Sequence, residues 1–195
     1  MSEITLLPDN QMFISIDELR GQNLSLYKIN NLVSQGFLRK INKKYYQNLV
    51  YQGDEHDLYY AYAYVPIGVV CLMSAAVYYG LSTYTPEAID IAIPRKSNVY
   101  TLPEWPQMKI HYFTDIRYEL GSVRIIDGKN QFAIYDIEKS VIDIIYYRNK
   151  IGMEETKEIL RTYMNKKTRN LNQLMRYAKA LKCEEITRNY LEMLI

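Results

Sequence analysis

Cysteine and histidine are both scarce in this sequence, with two of each among its 195 residues. Cys71 and Cys183 lie far apart and outside any CxxC or Cys/His cluster, and His56 and His111 are equally isolated. Disulfide frameworks and zinc sites need such residues at close spacings, and isolated cysteines are typical of a reducing compartment. We therefore expect neither a disulfide nor a bound metal ion.

The first residues of the sequence also lack the pattern of a secretory leader. Such a leader has a basic segment followed by a short apolar one, whereas the first residues here include the acidic Glu3 and Asp9. We therefore expect a cytoplasmic protein.

Charged residues are absent from one long run, residues 58–86. The run is long enough to span a bilayer, but it contains seven tyrosines, and Pro66 and Gly68 interrupt it near the middle. Two short buried helices joined by a turn at residues 65–68 explain this pattern better than a membrane span. We therefore expect no contact with a membrane.

A strong excess of one charge is missing as well, because the net charge is +2. Residues 1–50 carry six basic and four acidic side chains, residues 51–150 nine and twelve, and residues 151–195 nine and six. Basic ends suit a polyanion or an acidic partner. A solvated surface explains them equally well.

Residues 1–51 have the pattern of a small helical unit followed by a hairpin. A short helix is predicted over residues 14–19, and Ser25 stands where the N-cap of a second helix should be, because its hydroxyl can accept a first-turn N–H. The second helix has an apolar face at helical spacing, and Gly36 marks its end. That apolar face contains Leu26, Ile29, Leu32 and Val33.

Two short strands, residues 37–41 and 45–49, then follow, joined by a basic turn. Helix, turn, helix and basic hairpin is the order of a winged helix-turn-helix. Residues 52–57 are polar and acidic and are predicted to link this domain to a second one at residues 58–195.

The second domain is predicted to be α+β, with a mixed sheet packed by helices and a helical bundle at its end. Strands are predicted where β-branched and aromatic residues concentrate: residues 89–94, 108–113, 122–126 and 132–136. Helices are predicted over residues 58–64, 72–80, 137–149, 153–163, 171–181 and 185–194.

Five runs of the sequence, in this order, resemble the AbiEi antitoxin family of type IV toxin–antitoxin systems, which are transcriptional regulators of viral defence. The runs are LSLYKINNLVSQGFLRKINKKYY (24–46), GVVCLMSAAVYYGLSTYTP (68–86), IDIAIPRK (89–96), EKSVIDIIYYRNKIG (138–152) and NLNQLMRYAKALK (170–182) with YLEML (190–194). The resemblance covers nearly the whole chain and is weakest over the first eleven residues.

This resemblance implies an N-terminal winged helix and a C-terminal α/β antitoxin domain. It implies repression of the protein's own operon through double-stranded DNA repeats in the promoter. It also implies a cognate nucleotidyltransferase-like toxin, counteracted usually without a stable complex. Family members normally have a full helix before the helix-turn-helix, whereas Pro8-Asp9-Asn10 predicts a turn here.

The outer face of the second helix carries the side chains that could touch DNA. An Asn amide can pair with an adenine edge and a Lys can reach guanine or phosphate, and a helix N-terminus offers donors to phosphate. An ordinary polar helix face and a solvated hairpin are the alternative. The candidate DNA-binding residues are Ser25, Tyr27, Lys28, Asn31, Gln35, Arg39, Lys40, Lys43 and Lys44.

The sequence motifs of common catalytic sites are incomplete or absent in this sequence. A restriction-type nuclease needs an acid on one strand and an acid-x-Lys on the next, but Pro94 and Arg95 precede Lys96 and leave Asp90 without its partner acid. No Ser or Cys nucleophile has a His at motif spacing, and no glycine-rich phosphate loop occurs. We therefore expect a protein that is not an enzyme and needs no cofactor.

Three further features have a structural explanation beside a functional one. Asp143 and Arg148 are expected to form a buried pair that ties a helix to the sheet, and His111 to be a core or edge residue of a strand. A basic cluster in the last third is either a solvated helix face or a second basic surface for a DNA backbone or an acidic partner. It consists of Lys166, Lys167, Arg169, Arg176, Lys179 and Lys182.

Two functions follow. The first is a DNA-binding autorepressor and antitoxin. The second is a protein-interaction module whose winged-helix head no longer binds DNA.

Overall fold

The computed structural model describes residues 7–99 and 101–193. Within these residues the chain is a mixed α+β protein with ten helices and two sheets. We call residues 7–51 the head and residues 57–193 the body.

The head contains three strands and two helices. In chain order they are β1 (Phe13–Ser15), α1 (Ile16–Gly21), α2 (Leu26–Ser34), β2 (Leu38–Lys40) and β3 (Tyr45–Asn48). The sheet is antiparallel in the order β1-β3-β2. The two helices cover one face of this sheet and share with it a core that consists of head residues.

Strand β1 was not predicted, because the expected first helix began at residue 14. Ile14 instead pairs with Tyr46 of β3, and the helix starts two residues later. The reason is Ser15, whose side chain accepts from the Glu18 N–H while the Glu18 carboxylate accepts from the Ser15 N–H. Such a capping box requires an extended backbone at Ser15 and so ends the strand there.

The second helix and the hairpin agree with the predictions within two residues. One detail was wrong: Leu26, expected on the buried face of α2, is 49% exposed. Leu26 is the first helical residue, directly after the N-cap, and the buried residues of α2 are Ile29 and Leu32 further along the helix.

The body contains a five-stranded sheet in the order β6-β5-β4-β8-β7. Its strands are β4 (Val69–Val70), β5 (Ile89–Pro94), β6 (Met108–Phe113), β7 (Ser122–Asp127) and β8 (Asn130–Tyr135). The pairs β5–β6 and β4–β8 are parallel and the other two are antiparallel. The sheet is therefore mixed, as predicted.

Eight helices belong to the body. They are α3 (Asp57–Tyr64), α4 (Leu72–Tyr78), α5 (Asp115–Glu119), α6 (Ile137–Tyr146), α7 (Arg148–Ile151), α8 (Met153–Asn165), α9 (Leu171–Ala180) and α10 (Glu184–Glu192). Helix α6 packs against α4, α8, α9 and α10 around one apolar core and so forms the helical bundle at the end of the chain.

Both faces of strand β5 in the body sheet are covered. Ile89, Ile91 and Ile93 of β5 pack with α3, whereas Ala92 faces the other way, toward the cluster that contains Tyr135. Adjacent strand residues point to opposite faces, so a strand with both faces buried has a continuous apolar run. This explains why β5 was predicted with its observed bounds.

The uncharged run of residues 58–86 forms α3, β4, α4 and the turns between them. None of the helices in the described ranges is long and apolar enough to cross a membrane.

The head and the body share a core, which the separate-domain interpretation of the sequence did not include. Phe13 of β1 packs edge-on against Tyr60 of α3, with ring centroids 4.8 Å apart. The Met12 N–H donates to Asn130 Oδ1 at 2.8 Å, and Gln47 Nε2 donates to the Tyr60 hydroxyl. Helix α3 therefore serves as the second cover of the head's sheet.

Candidate nucleic-acid interface

The outer face of α2 is open to solvent. Tyr27 is 82% exposed, Ser25, Lys28 and Gln35 are also exposed, and Asn31 is half-buried. The opposite face buries Ile29 and Leu32 completely, within the head's own core. The body therefore does not cover the candidate recognition face.

The N-terminus of α2 has the predicted cap. The Ser25 hydroxyl oxygen accepts from the Lys28 N–H at 3.4 Å, which leaves the hydroxyl hydrogen as a possible donor to phosphate. The helix ends at Ser34 with Gln35 as its C-cap, and Gly36 follows with a φ of 79°. A glycine takes this left-handed conformation without steric cost.

The hairpin exposes four cations, but they do not all lie on one face. Arg39 pairs with Gln47 and Lys40 with Tyr46, so the two cations leave β2 on opposite sides of the sheet. Arg39 lies on the side of α3. Lys43 and Lys44 are exposed in the turn between the strands.

Asn42 fixes that turn and was not among the predicted residues. Its Nδ2 donates to the Ala63 carbonyl at 2.8 Å, at the end of α3. Its Oδ1 accepts from the Lys44 and Tyr45 N–H groups at 2.8 and 2.9 Å. The tip of the hairpin is therefore held against the body. Asn in a turn is a recognisable signal for local backbone bonds, but the long-range partner was not visible in the sequence.

The electrostatics of this region favour an anion. No carboxylate occurs from residue 19 to residue 53, whereas six Lys and Arg side chains do. The flanking Glu18 is already engaged: burial opposes its ionisation, but hydrogen bonds from Ser15 and Gln11 outweigh this and lower the pKa of Glu18. Both α2 and the hairpin lie inside this carboxylate-free segment.

The strand residues considered for nuclease chemistry form a pair of a different kind. The Asp90 carboxylate of β5 lies 2.7 Å from Nε2 of His111 on β6. His111 is a partly buried strand residue. Lys96 lies beyond the end of β5. Among the described residues, no group of three or more His, Cys, Asp or Glu side chains could hold a metal ion.

The expected Asp143–Arg148 pair was wrong. Asp143 is fully buried and pairs with Arg117 of α5 and with Lys139 one turn earlier on α6. Arg148 instead donates to the Ile145 carbonyl at 3.1 Å. Arg148 begins α7 after α6 ends at Tyr146. It also follows Asp143 by five residues, whereas side chains that meet on a helix are three or four residues apart.

The basic cluster of the last third lies on α9 and in the turns on either side of it. Lys167, Arg169, Arg176, Lys179 and Lys182 are exposed, and Lys166 is half-buried. This exposure is compatible with both a solvated surface and a second contact surface.

Comparison of the chain with protein-family models and with curated proteins finds no match. The resemblance to AbiEi antitoxins therefore depends on the five sequence runs alone.

Proposed function

We propose that this chain is a DNA-binding regulator and antitoxin whose head acts as a winged helix. The observation that carries the proposal is the carboxylate-free segment of residues 19–53, which contains both α2 and the hairpin. The order of elements from β1 to β3, with β1 paired to β3, supports it, because a winged helix places its second helix in the major groove and its hairpin beside the backbone.

The chemistry of the exposed residues fits this arrangement. Asn31 and Lys28 lie one turn apart on α2, where an amide could pair with an adenine edge and an ammonium could reach guanine or phosphate. Lys43 and Lys44 could neutralise phosphates. Because Asn42 holds the turn to α3, these two cations would meet the duplex without first ordering a loose hairpin.

The test is fluorescence anisotropy with a duplex that contains the repeats upstream of the chain's own gene. The double variant Lys28→Ala/Asn31→Ala should bind at least tenfold more weakly, because each specific base contact contributes about 1–3 kcal/mol. The matched control is Asn149→Ala/Lys150→Ala, which removes the same groups from exposed positions on α7. Equal affinity of the α2 variant and the wild type would refute the assigned face.

The antitoxin part of the proposal is supported by the resemblance. It predicts a nucleotidyltransferase-like reading frame beside the gene and rescue of growth when both proteins are expressed together. A neighbouring toxin whose growth arrest persists in the presence of this chain would contradict it.

A second candidate function is protein interaction without DNA binding, and one groove of the body favours it. The groove encloses about 1080 Å³ and is lined by Glu55, Asp57 and Glu87 with the exposed Trp105 at its edge. Carboxylates beside an aromatic ring suit a cationic segment of a partner.

The two functions can be separated without deleting the head. Because α3 covers the head's sheet, removal of residues 1–50 would expose Tyr60 and destabilise the body. Charge reversal by Lys43→Glu/Lys44→Glu changes exposed positions only. The DNA-binding regulator predicts that the wild type represses the promoter and that this variant loses the repression. The protein-interaction function predicts no repression by the wild type and growth rescue that the variant retains.

A further inference from the structure

The carboxyl ends of the parallel strands β5 and β6 meet at one edge of the body sheet. Pro94 pairs with Phe113 at the last register position, and the N–H of Arg95 donates to the Phe113 carbonyl at 3.0 Å. Arg95 and Thr114, the residues that follow the two strands, are thereby brought side by side. Crevices beyond the carboxyl ends of parallel strands are the usual ligand sites of open α/β sheets.

A cavity of about 400 Å³ lies at this edge, within the size range of small-molecule sites. Its charged side chains are Arg95, Arg117 and Lys182, and no carboxylate lines it. Lys182 comes from the turn between α9 and α10. Three cations supplied by three separate parts of the chain therefore converge on one space.

Arg117 is the rigid member of this group. Its side chain is 8% exposed, it is paired with Asp143, and its guanidinium lies 3.9 Å from the centre of the Tyr146 ring. A guanidinium held in this way loses little conformational freedom when it binds an anion.

Arg117 shares its carboxylate partner with a second basic residue. Asp143 also pairs with Lys139, and both of these side chains are 0% exposed. Burial lowers the pKa of Lys139, while Asp143 opposes that change. Lys139 does not line the cavity, so the cations that an anion would meet there are Arg95, Arg117 and Lys182.

Aromatic rings also line the cavity. Tyr112 and Tyr146 line the cavity and are about half exposed, at 52% and 48%. Half-exposed tyrosines beside cations offer a stacking surface to a nucleobase. A simple anion would make no use of them.

We propose that this cavity binds a mononucleotide, with its phosphate on Arg95, Arg117 and Lys182 and its base against Tyr112, since the Tyr146 ring already faces the Arg117 guanidinium. The site is independent of the head and of DNA binding through α2. The same phosphate chemistry could come from free phosphate or from a nucleic-acid backbone, and the experiment distinguishes these sources.

The experiment is isothermal titration of the full chain with adenosine 5′-monophosphate, adenosine, inorganic phosphate and a short single-stranded DNA. The monophosphate should bind at least tenfold more tightly than adenosine or phosphate. Arg95→Ala/Lys182→Ala should weaken the monophosphate at least tenfold, and Tyr112→Ala should weaken it without changing phosphate binding. The control is Arg161→Ala/Lys167→Ala, which removes two exposed cations outside the cavity.

Several outcomes would overturn the proposal. They are no binding of the monophosphate at millimolar concentration, equal binding of adenosine, or unchanged affinity in the Arg95→Ala/Lys182→Ala variant. Single-stranded DNA could also bind tenfold more tightly than the monophosphate, with this binding lost in the Arg95→Ala/Lys182→Ala variant. That result would assign the cavity to a nucleic-acid backbone instead. Thermal unfolding of each variant verifies that the fold is retained.

Discussion

The shared core predicts that the head and the body unfold as one cooperative unit. Leu32→Ala is the perturbation that tests this, because Leu32 is fully buried in the cluster of head residues. The single tryptophan, Trp105, belongs to the body, and its ring centroid lies 6.1 Å from that of Tyr60 on α3. Its fluorescence therefore reports on the body while the mutation acts on the head.

The expected magnitude follows from the size of the deleted side chain. Truncation of a fully buried leucine to alanine costs about 2–5 kcal/mol. With a urea dependence of about 3 kcal/mol per molar, a loss of about 3 kcal/mol lowers the midpoint by about 1 M. The contacts that transmit this loss are the Phe13–Tyr60 ring pair and the bonds from Met12 to Asn130 and from Asn42 to Ala63.

Urea unfolding followed by Trp105 fluorescence and by circular dichroism at 222 nm gives two midpoints for comparison. Both should move together in Leu32→Ala. The matched control is Leu26→Ala on the same helix, which is 49% exposed and should change stability by less than about 0.5 kcal/mol. In Leu32→Ala, two separate transitions by circular dichroism together with an unchanged Trp105 midpoint would show that head and body unfold separately.

Three further predictions follow from particular contacts. Asn42→Ala removes three hydrogen bonds at the hairpin tip and should lower the free energy of unfolding by about 1–3 kcal/mol, measured as a lower urea midpoint, whereas Lys43→Ala beside it should leave the midpoint unchanged. Asp143→Asn leaves the buried Arg117 and Lys139 without their carboxylate and should cost about 3–5 kcal/mol of stability, measured by thermal unfolding; an unchanged melting temperature would contradict this role of Asp143. Burial, then the hydrogen bond to Asp136, raises the pKa of Tyr177 to about 12, so the folded state keeps a proton that the unfolded state loses; stability should fall from pH 10 to 12, and less steeply in Tyr177→Phe.

The helices and strands that bury both faces, or one well-defined face, were predictable from the sequence. Strands β5 and β6 have their predicted bounds, because runs of β-branched and aromatic residues leave no helical alternative. Strands β1 and β4 were missed. They have three and two residues, and only pairing with β3 and with β5 and β8 defines them.

The candidate interface was predictable in part. Ser25 and the spacing of Ile29 and Leu32 determine which side of α2 faces outward, since capping and helical period are local properties. The long-range partners of Asn42 and Asp143, which are Ala63 and Arg117, are 21 and 26 residues away in the chain. No local pattern encodes such contacts, and for this reason the Arg148 pairing was wrong.

Because α3 covers the head's sheet, the stability of the head is also linked to that of the body. Since α3 closes both the head's sheet and one face of the body sheet, a ligand that binds the folded body stabilises the head as well, by about 2.7 kcal/mol when it is present at a hundred times its dissociation constant. Saturation of the cavity beside Arg117 should therefore raise the urea midpoint of Leu32→Ala in both signals, although Leu32 belongs to the head. A ligand that restores the Trp105 transition alone would mean that the contacts of Phe13 and Asn42 do not join the two parts into one unit.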